Sequence, residues 1–310
     1  MTEIVLHIGT PKTGTTAIQS AIVANTDVLR AADIWFLEAG RHKAAHNDLA
    51  NSVRRKGADH NFKDALQEEV TSQAAKRPNG KILLSSEIFS LIDPSKIQAA
   101  LPFLSDYPLK IIVYLRRQDR YAEAFFKQRI KNGRSVMPFD QFLTSRLGRS
   151  ITDYNALLGG WAETFSEAEI IPRLYERDRF VNGDIMVDFA TQLGLEPGQI
   201  VASTTERNIS PSKDVIDILL ALSAHLDGQQ LRSVYRALKP LQLDGFSASG
   251  DLFTPETRHD YLDQFSGANE QLRDAYFPTE MRLFNLDDPK RDELLSSGFS
   301  PQQQDLLAAA

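Results

Sequence analysis

Residues 6 to 16, Leu-His-Ile-Gly-Thr-Pro-Lys-Thr-Gly-Thr-Thr, carry the side chains and spacing of a phosphate-holding loop. An apolar run (Ile4, Val5, Leu6, Ile8) precedes them and an amphipathic stretch (Ala17, Ile18, Ala21, Ile22) follows. The pattern predicts a glycine-bearing turn between a strand and a helix. Gly9 and Gly14 permit a tight backbone turn, and the unpaired N–H groups at the helix start point toward an anion. Pro11 and Thr13 complete the loop. Thr15 and Thr16 can add hydroxyl donors and Lys12 a mobile positive charge. The bland alternative is a strand-to-helix turn that happens to carry glycine. A Walker A loop places its lysine directly after the last glycine, followed by a magnesium-binding hydroxyl. Here Thr15 follows Gly14, and Lys12 comes two residues before it. The next core-type strand, Lys81 to Glu87, ends without a Walker B aspartate, so no metal partner is evident.

A second group of charged residues follows the apolar run Ile111 to Leu115. Arg116, Arg117 and Arg120 stand where a core strand gives way to a helix, the ligand side of an open parallel sheet. They could hold a second phosphate, or they could cap the strand and pair with Asp119 or Glu123. Two further titratable residues stand near the expected strand ends. Glu87 directly follows the strand Ile82 to Ser86, and its bland role is a helix-starting acid balancing nearby arginines. His46 lies in a loop after Leu37 that could face an acceptor. His42 and His46 are four apart, but no third ligand joins them, so a metal site is not expected. His7 reads as a strand residue packed beneath the loop. Ser85 and Ser86 either position a substrate or end a strand.

The elements that must position these groups alternate along the chain. Strands are expected at Ile4 to Ile8, Ile34 to Leu37, Ile82 to Leu84, Ile111 to Leu115 and Glu169 to Tyr175. Their continuous apolar runs suit parallel strands covered on both faces. Pro172 favours an edge position for the last. Helices are expected over 15–31, 45–56, 61–76, 119–132, 138–147, 153–165 and 184–193, with a short one opened by Asp93-Pro94. Past residue 211 the pattern is mostly helical and more polar, with turn signals at Asp244-Gly245 and Ser249-Gly250 and a frayed end from Gln302 to Ala310. The alternation predicts an α/β, P-loop-type three-layer fold, with a central parallel sheet flanked by helices plus a mostly helical C-terminal extension. The boundary is placed between a core of residues 1–205 and an extension of 206–310.

The chain has 310 residues, 42% of them hydrophobic, enough to bury a sizeable core. Its 35 basic and 41 acidic side chains leave a net charge of −6, which argues against bulk nucleic-acid binding but not against a local basic cleft. The absence of cysteine excludes disulfides, thiolate catalysis and zinc–thiolate sites. The first strand begins by residue 3, which leaves no room for a signal peptide, and no apolar run approaches the ~18 residues of a membrane helix. A cytoplasmic protein with no membrane contact is expected.

Pro11-Lys-Thr-Gly-Thr-Thr16 resembles the 5′-phosphosulfate loop of sulfotransferases, which use 3′-phosphoadenosine 5′-phosphosulfate (PAPS). In the same family an arginine at a strand end is followed eight residues later by a serine that holds the 3′-phosphate. Arg116 matches the arginine, but the eighth residue on is Ala124. The resemblance therefore leaves Arg117, Lys127 or a distant group to substitute. Tyr175-Glu-Arg177, Asp188-Phe189 and Gly194 resemble bacterial members, as do Ser266 to Leu272 and Tyr276-Phe-Pro278. The likeness is strong over about 1–130, patchy over 168–195 and weak beyond. It implies a PAPS-dependent sulfotransferase without a metal, acting on a hydroxyl, less readily an amine, of a carbohydrate or small metabolite. Lys12 would follow charge onto the leaving phosphate, and the family's base, a histidine or glutamate near a central strand end, would be Glu87 or, as second candidate, His46. A P-loop small-molecule kinase, or a degenerate nucleotide-binding protein, is the alternative. The acceptor and the oligomeric state are not readable.

Overall fold

A computed structural model describes residues 1–55, 61–134, 137–200, 213–238 and 251–286. The chain runs from β1 (Glu3–His7) through α1 (Thr15–Ala24) and α2 (Thr26–Ala31) to β2 (Ile34–Phe36). Helices α3 (Asn47–Arg54) and α4 (Asn61–Lys76) lead to β3 (Lys81–Ser85), and α5 (Pro94–Ala100) leads to β4 (Leu109–Leu115). Four helices follow: α6 (Gln118–Lys131), α7 (Phe139–Thr144), α8 (Arg146–Thr152) and α9 (Tyr154–Thr164). After β5 (Glu169–Leu174) come α10 (Ile185–Gln192), α11 (Lys213–Leu222), α12 (Gly228–Leu238), α13 (Pro255–Asp263) and α14 (Ser266–Tyr276). The five strands form one parallel sheet in the order β2-β3-β1-β4-β5. This is the α/β layered sheet that the strand–helix alternation predicts. Pro172 lies in the edge strand β5, opposite Val113.

Strand alternation divides the core into two layers. Ile4, Leu6, Ile82, Leu84, Ile111 and Val113 face one side, packed against helices α3 to α9 and α11 to α14. Val5, Leu83, Ile112 and Tyr114 face the other side, covered by α1, α2 and α10. The described helices after residue 212 bury Val215, Ile216, Leu219, Leu231 and Leu272 in the first of these layers. The expected boundary at 205/206, the turns at Asp244-Gly245 and Ser249-Gly250, and the end from Gln302 lie outside the described residues.

Two helices expected as single pieces are broken, each for a local reason. The helix over 15–31 divides at Asn25, whose side-chain amide donates to the Ala21 carbonyl at 2.8 Å. The helix over 138–147 ends at Thr144. Ser145 then takes an extended conformation (ψ 158°) and accepts from the Gly148 N–H, capping α8. Gly148 permits this corner, because a Cβ there would stand 2.0 Å from the Phe142 carbonyl oxygen.

Chain reversals place β1 centrally. From β1 the chain moves outward to β2 on one side, then crosses back to β4 and β5 on the other. The crevice at the C-terminal ends of β1 and its neighbours is therefore the topological switch point. One buried polar group ties the far edge to this centre. The Asp188 carboxylate on α10 accepts from the Tyr114 hydroxyl of β4 at 2.7 Å, from Arg173 of β5 and from the Val181 N–H. Asp188→Ala leaves Arg173 uncompensated, and should cost about 3 kcal/mol, the lower end for a broken buried pair because Arg173 keeps some solvent. Tyr114→Phe should cost only about 1 kcal/mol. Urea denaturation checks the ranking, and equal costs for the two would mean that the carboxylate does not hold the edge.

Candidate active site

The loop from β1 to α1 contains three left-handed residues: Gly9 (φ +44°), Lys12 (φ +68°) and Gly14 (φ +73°). A Cβ on Gly9 would stand 2.7 Å from Cγ2 of Thr15 and 3.3 Å from Cα of Glu87, and one on Gly14 would stand 2.6 Å from Cδ1 of Ile185. Lys12 has no such excuse, and its conformation costs backbone strain. The neighbours hold it. Thr10 donates its hydroxyl to the Tyr114 carbonyl at 2.7 Å, Thr13 donates to the Thr10 carbonyl at 2.6 Å, and Arg116 Nη1 donates to the Lys12 carbonyl at 2.9 Å. The Thr10 and Thr13 hydroxyls thus stiffen the loop from inside. Gly14 ends the loop as the N-cap of α1, with no side chain capping the helix. The first-turn N–H groups of α1 have no intrahelical acceptor. Thr16 is exposed on that turn.

Positive charge gathers around this turn. The Arg116 guanidinium lies 5.6 Å from the centre of the Tyr175 ring, and the Tyr154 hydroxyl donates to the Arg116 carbonyl. Burial pushes the Lys12 pKa down; Lys131 and Arg116 add to the effect and Glu87 opposes it. Burial likewise lowers that of Arg116, with Arg120 contributing. Lys131 also stands 5.1 Å from the centre of the Tyr235 ring. These cations are crowded and partly desolvated, a state that an anion relieves. Glu87 is the acid among them. Its Oε2 accepts from the Thr15 hydroxyl at 2.5 Å. The structure therefore brings Lys12, Thr15, Glu87 and Arg116 together at the switch point. Thr15 was expected to face a phosphate, and here its hydroxyl is directed to Glu87.

Other expected residues are placed elsewhere. Arg117 is 3% exposed and grips Asp119 with two hydrogen bonds, at 2.7 and 2.9 Å. Its Nη1 donates to the Asn285 carbonyl. Asp119 also accepts from Arg258 of α13. Burial opposes ionisation of Asp119, but the two arginines outweigh it and leave the pKa below the usual range. Lys127 pairs with Glu123 in the same buried cluster. For Arg117 and Lys127 the structure thus shows structural ion pairing. His46 is fully buried at the start of α3. Its Nδ1 accepts from the Ser85 N–H at 3.1 Å, which assigns the ring proton to Nε2, and its backbone N–H donates to the Ser85 carbonyl. The ring packs edge-on to Phe36. His7 lies beneath the loop, with Nδ1 2.8 Å from the Ser85 hydroxyl and Nε2 against Gly9. Ser85 also accepts from Gln19, and Ser86 donates to Asn47 at 2.6 Å. Among the described residues no cluster of three or more His, Cys, Asp or Glu side chains could hold a metal ion, and no helix is long and apolar enough to cross a membrane.

Lys131 and the Tyr154 anchor were not expected from sequence. Lys131 had a readable signal: Arg120, Ala124, Lys127 and Lys131 recur at helical spacing on the helix that follows Arg116. The Tyr154 hydroxyl had none, because its partner is a backbone carbonyl 38 residues away.

Burial pushes the pKa values of His7 and His46 from the ordinary 6.5 down to about 3. Both rings stay neutral in the fold, whereas an unfolded chain protonates them below 6.5. The unfolded state therefore binds more protons in this window. Stability should be full above it and fall as the pH drops toward 3, by up to ~1.4 kcal/mol per pH unit for each ring. Urea midpoints measured on either side of pH 6 should show the loss, and His46→Gln should reduce it. An undiminished loss in that variant would place the titrating group elsewhere.

No protein-family model matches the chain. A curated protein of Archaeoglobus fulgidus, described only as uncharacterized, is 32% identical over 201 residues, covering 64% of this chain and 54% of its own length. The chain thus spans about half the length of that relative. Among solved structures, a sulfotransferase from Alicyclobacillus acidocaldarius is similar at 16% identity and a TM-score of 0.39, covering 75% of this chain and 95% of that one. A chain from the PezAT chromosomal toxin-antitoxin system of Streptococcus pneumoniae is similar at 15% identity and a TM-score of 0.23, over 75% of this chain and 86% of its own. At these scores neither likeness bears on what the site does.

Proposed function

We propose that this chain is a sulfotransferase that uses PAPS to sulfate a hydroxyl of a carbohydrate or small metabolite. One observation carries the reading: Lys12, Arg116 and Glu87 converge on the uncapped start of α1, at the switch point of a parallel sheet. The donor would supply the sulfuryl group. The first-turn N–H groups of α1 and the Thr16 hydroxyl are assigned to its 5′-phosphosulfate. Lys12 is assigned the charge that grows on the departing phosphate oxygen, an electrostatic contribution that needs no rearrangement once the lysine is in place. Thr15 fixes Glu87 through Oε2, so Oε1 is the oxygen assigned to take the proton of the acceptor hydroxyl. With Arg117 and Lys127 in buried ion pairs, the 3′-phosphate is assigned to Arg116 and Arg120. His46 supports β3 and positions the Ser85 backbone rather than taking a proton.

Binding separates this reading from a nucleotide kinase. 3′-Phosphoadenosine 5′-phosphate should bind without magnesium, and ATP should not; the reverse pattern, seen by calorimetry, would overturn the proposal. Lys12→Ala removes about 1.5–3 kcal/mol of charged hydrogen bonding and should slow turnover by roughly tenfold to more than a hundredfold. Full activity in that folded variant would remove Lys12 from the site.

Glu87→Gln keeps the shape and removes the base. Donor binding should survive, while the chemical step slows by ~10²–10⁴-fold. If Glu87→Gln is active and His46→Ala is inactive with donor binding intact, the two roles exchange. Arg120→Ala should weaken binding of 3′-phosphoadenosine 5′-phosphate and leave that of AMP nearly unchanged. Equal losses for both nucleotides would mean that Arg120 does not read the 3′-phosphate.

A further inference from the structure

Away from the loop, helices α6 to α9, α13 and α14 and the segment before α13 line a half-open chamber of about 840 Å³. This lies inside the roughly 300–1,000 Å³ range of small-molecule sites. No residue of the β1–α1 loop lines it. One wall is a run of aromatic rings. Phe139 meets Phe253 at 4.9 Å between centres, Phe253 meets Tyr261 at 5.3 Å, and Tyr261 meets Phe265 at 5.1 Å. Among them Tyr261 is only 6% exposed; its hydroxyl oxygen has no accessible surface and no hydrogen bond of ordinary geometry, and the Thr152 side chain lies beside it.

The remaining walls supply hydrogen bonds of a particular kind. Gln118 of α6 and Asn269 of α14 face each other as paired amides, with one contact at 2.6 Å and the return contact at 3.4 Å. Each carboxamide has two N–H donors and two lone pairs, so the mutual pair leaves each with a further donor and acceptor. Such groups match neighbouring hydroxyls, which both donate and accept. The charged lining is Asp140, Asp153 and Asp260 against Arg149 alone. The chamber is thus electronegative, opposite in sign to the cluster around Lys12, and disfavours anions.

We propose that this chamber is a second ligand site, for an uncharged, hydroxyl-rich ring compound of mono- or disaccharide size. Ring faces bearing C–H groups would lie on the aromatic wall, and hydroxyls would meet the Gln118–Asn269 pair. The proposal does not rest on sulfuryl transfer, and its site is separate from the residues assigned to that reaction.

The test uses the full chain and maltose, methyl β-glucoside and glucuronate as probes, followed by ligand-observed NMR and calorimetry without nucleotide. The neutral sugars should bind and glucuronate should bind more weakly. Phe265→Ala and Asn269→Leu should each weaken neutral-sugar binding by about tenfold, the usual effect of losing an anchor. Lys12→Ala should leave it unchanged. A second measurement covers the case in which those variants fail to fold. The chain lacks cysteine, so Ala268→Cys on the exposed side of the chamber creates a single thiol without removing a hydrogen-bonding side chain. Maltose should slow its alkylation. Absence of sugar binding, equal binding of glucuronate, loss of binding in Lys12→Ala, or unprotected alkylation would each overturn the proposal.

Discussion

The β1–α1 loop must hold three left-handed residues within six positions while leaving the start of α1 uncapped. This is a costly conformation, and much of the nearby structure is explained by what keeps it in place. Gly9 is crowded by Thr15 and Glu87, and Gly14 by Ile185 and Tyr175. The one left-handed residue with a side chain, Lys12, has its carbonyl held by Arg116, whose own carbonyl is held by Tyr154 of α9. The loop therefore draws rigidity from β3, β4, α9 and α10 together. A conformation supported from four elements is one the chain can keep without a ligand, which is what preorganised binding of a charged group requires.

Electrostatics acts on the same few residues. A chain with a net charge of −6 concentrates Lys12, Arg116, Arg120 and Lys131 around one helix start. Burial disfavours the charged forms of Lys12 and Arg116, and their neighbours add repulsion. Glu87 offsets part of this, as its opposing influence on Lys12 shows. The carboxylate is held by a neutral hydroxyl, Thr15, rather than by a direct bond to a cation. It can therefore balance the site without neutralising the lysine. The contrast with Asp119 is instructive. There the carboxylate is saturated by Arg117 and Arg258, and the group serves to fasten α13 to α6.

The strands were legible in the sequence because a sheet covered on both faces needs continuous apolar runs, and β1, β3 and β4 carry them. The loop was legible because glycine is the residue that fits its left-handed turns. Helix breaks at Asn25 and Ser145 were not, since each depends on a side chain choosing a nearby backbone partner over continuing the helix. Among the site residues, Arg116 and Arg117 could not be told apart by type. Adjacent residues leaving a strand project in different directions, and Arg117 meets Asp119 two positions on, a local contact that the sequence offered as one of two alternatives. The burial of His46 was not legible for a related reason. A histidine in a polar loop suggests exposure, yet the backbone of β3 draws it inward through two hydrogen bonds to Ser85. The aromatic chamber had no sequence signature, because its walls come from helices separated by more than a hundred residues.

The loop and the chamber are joined at two places. Tyr154 lines the chamber and donates to the Arg116 carbonyl, and Arg116 donates to the Lys12 carbonyl. Gln118, on the chamber wall, begins the helix whose later turns carry Arg120 and Lys131. Tyr154 is thus a side chain common to both regions. Their charge differs in sign: cations gather around the loop, and three aspartates against one arginine line the chamber. The fold thus sets a cationic cluster beside an acid-lined chamber, with Tyr154 and Arg116 between them.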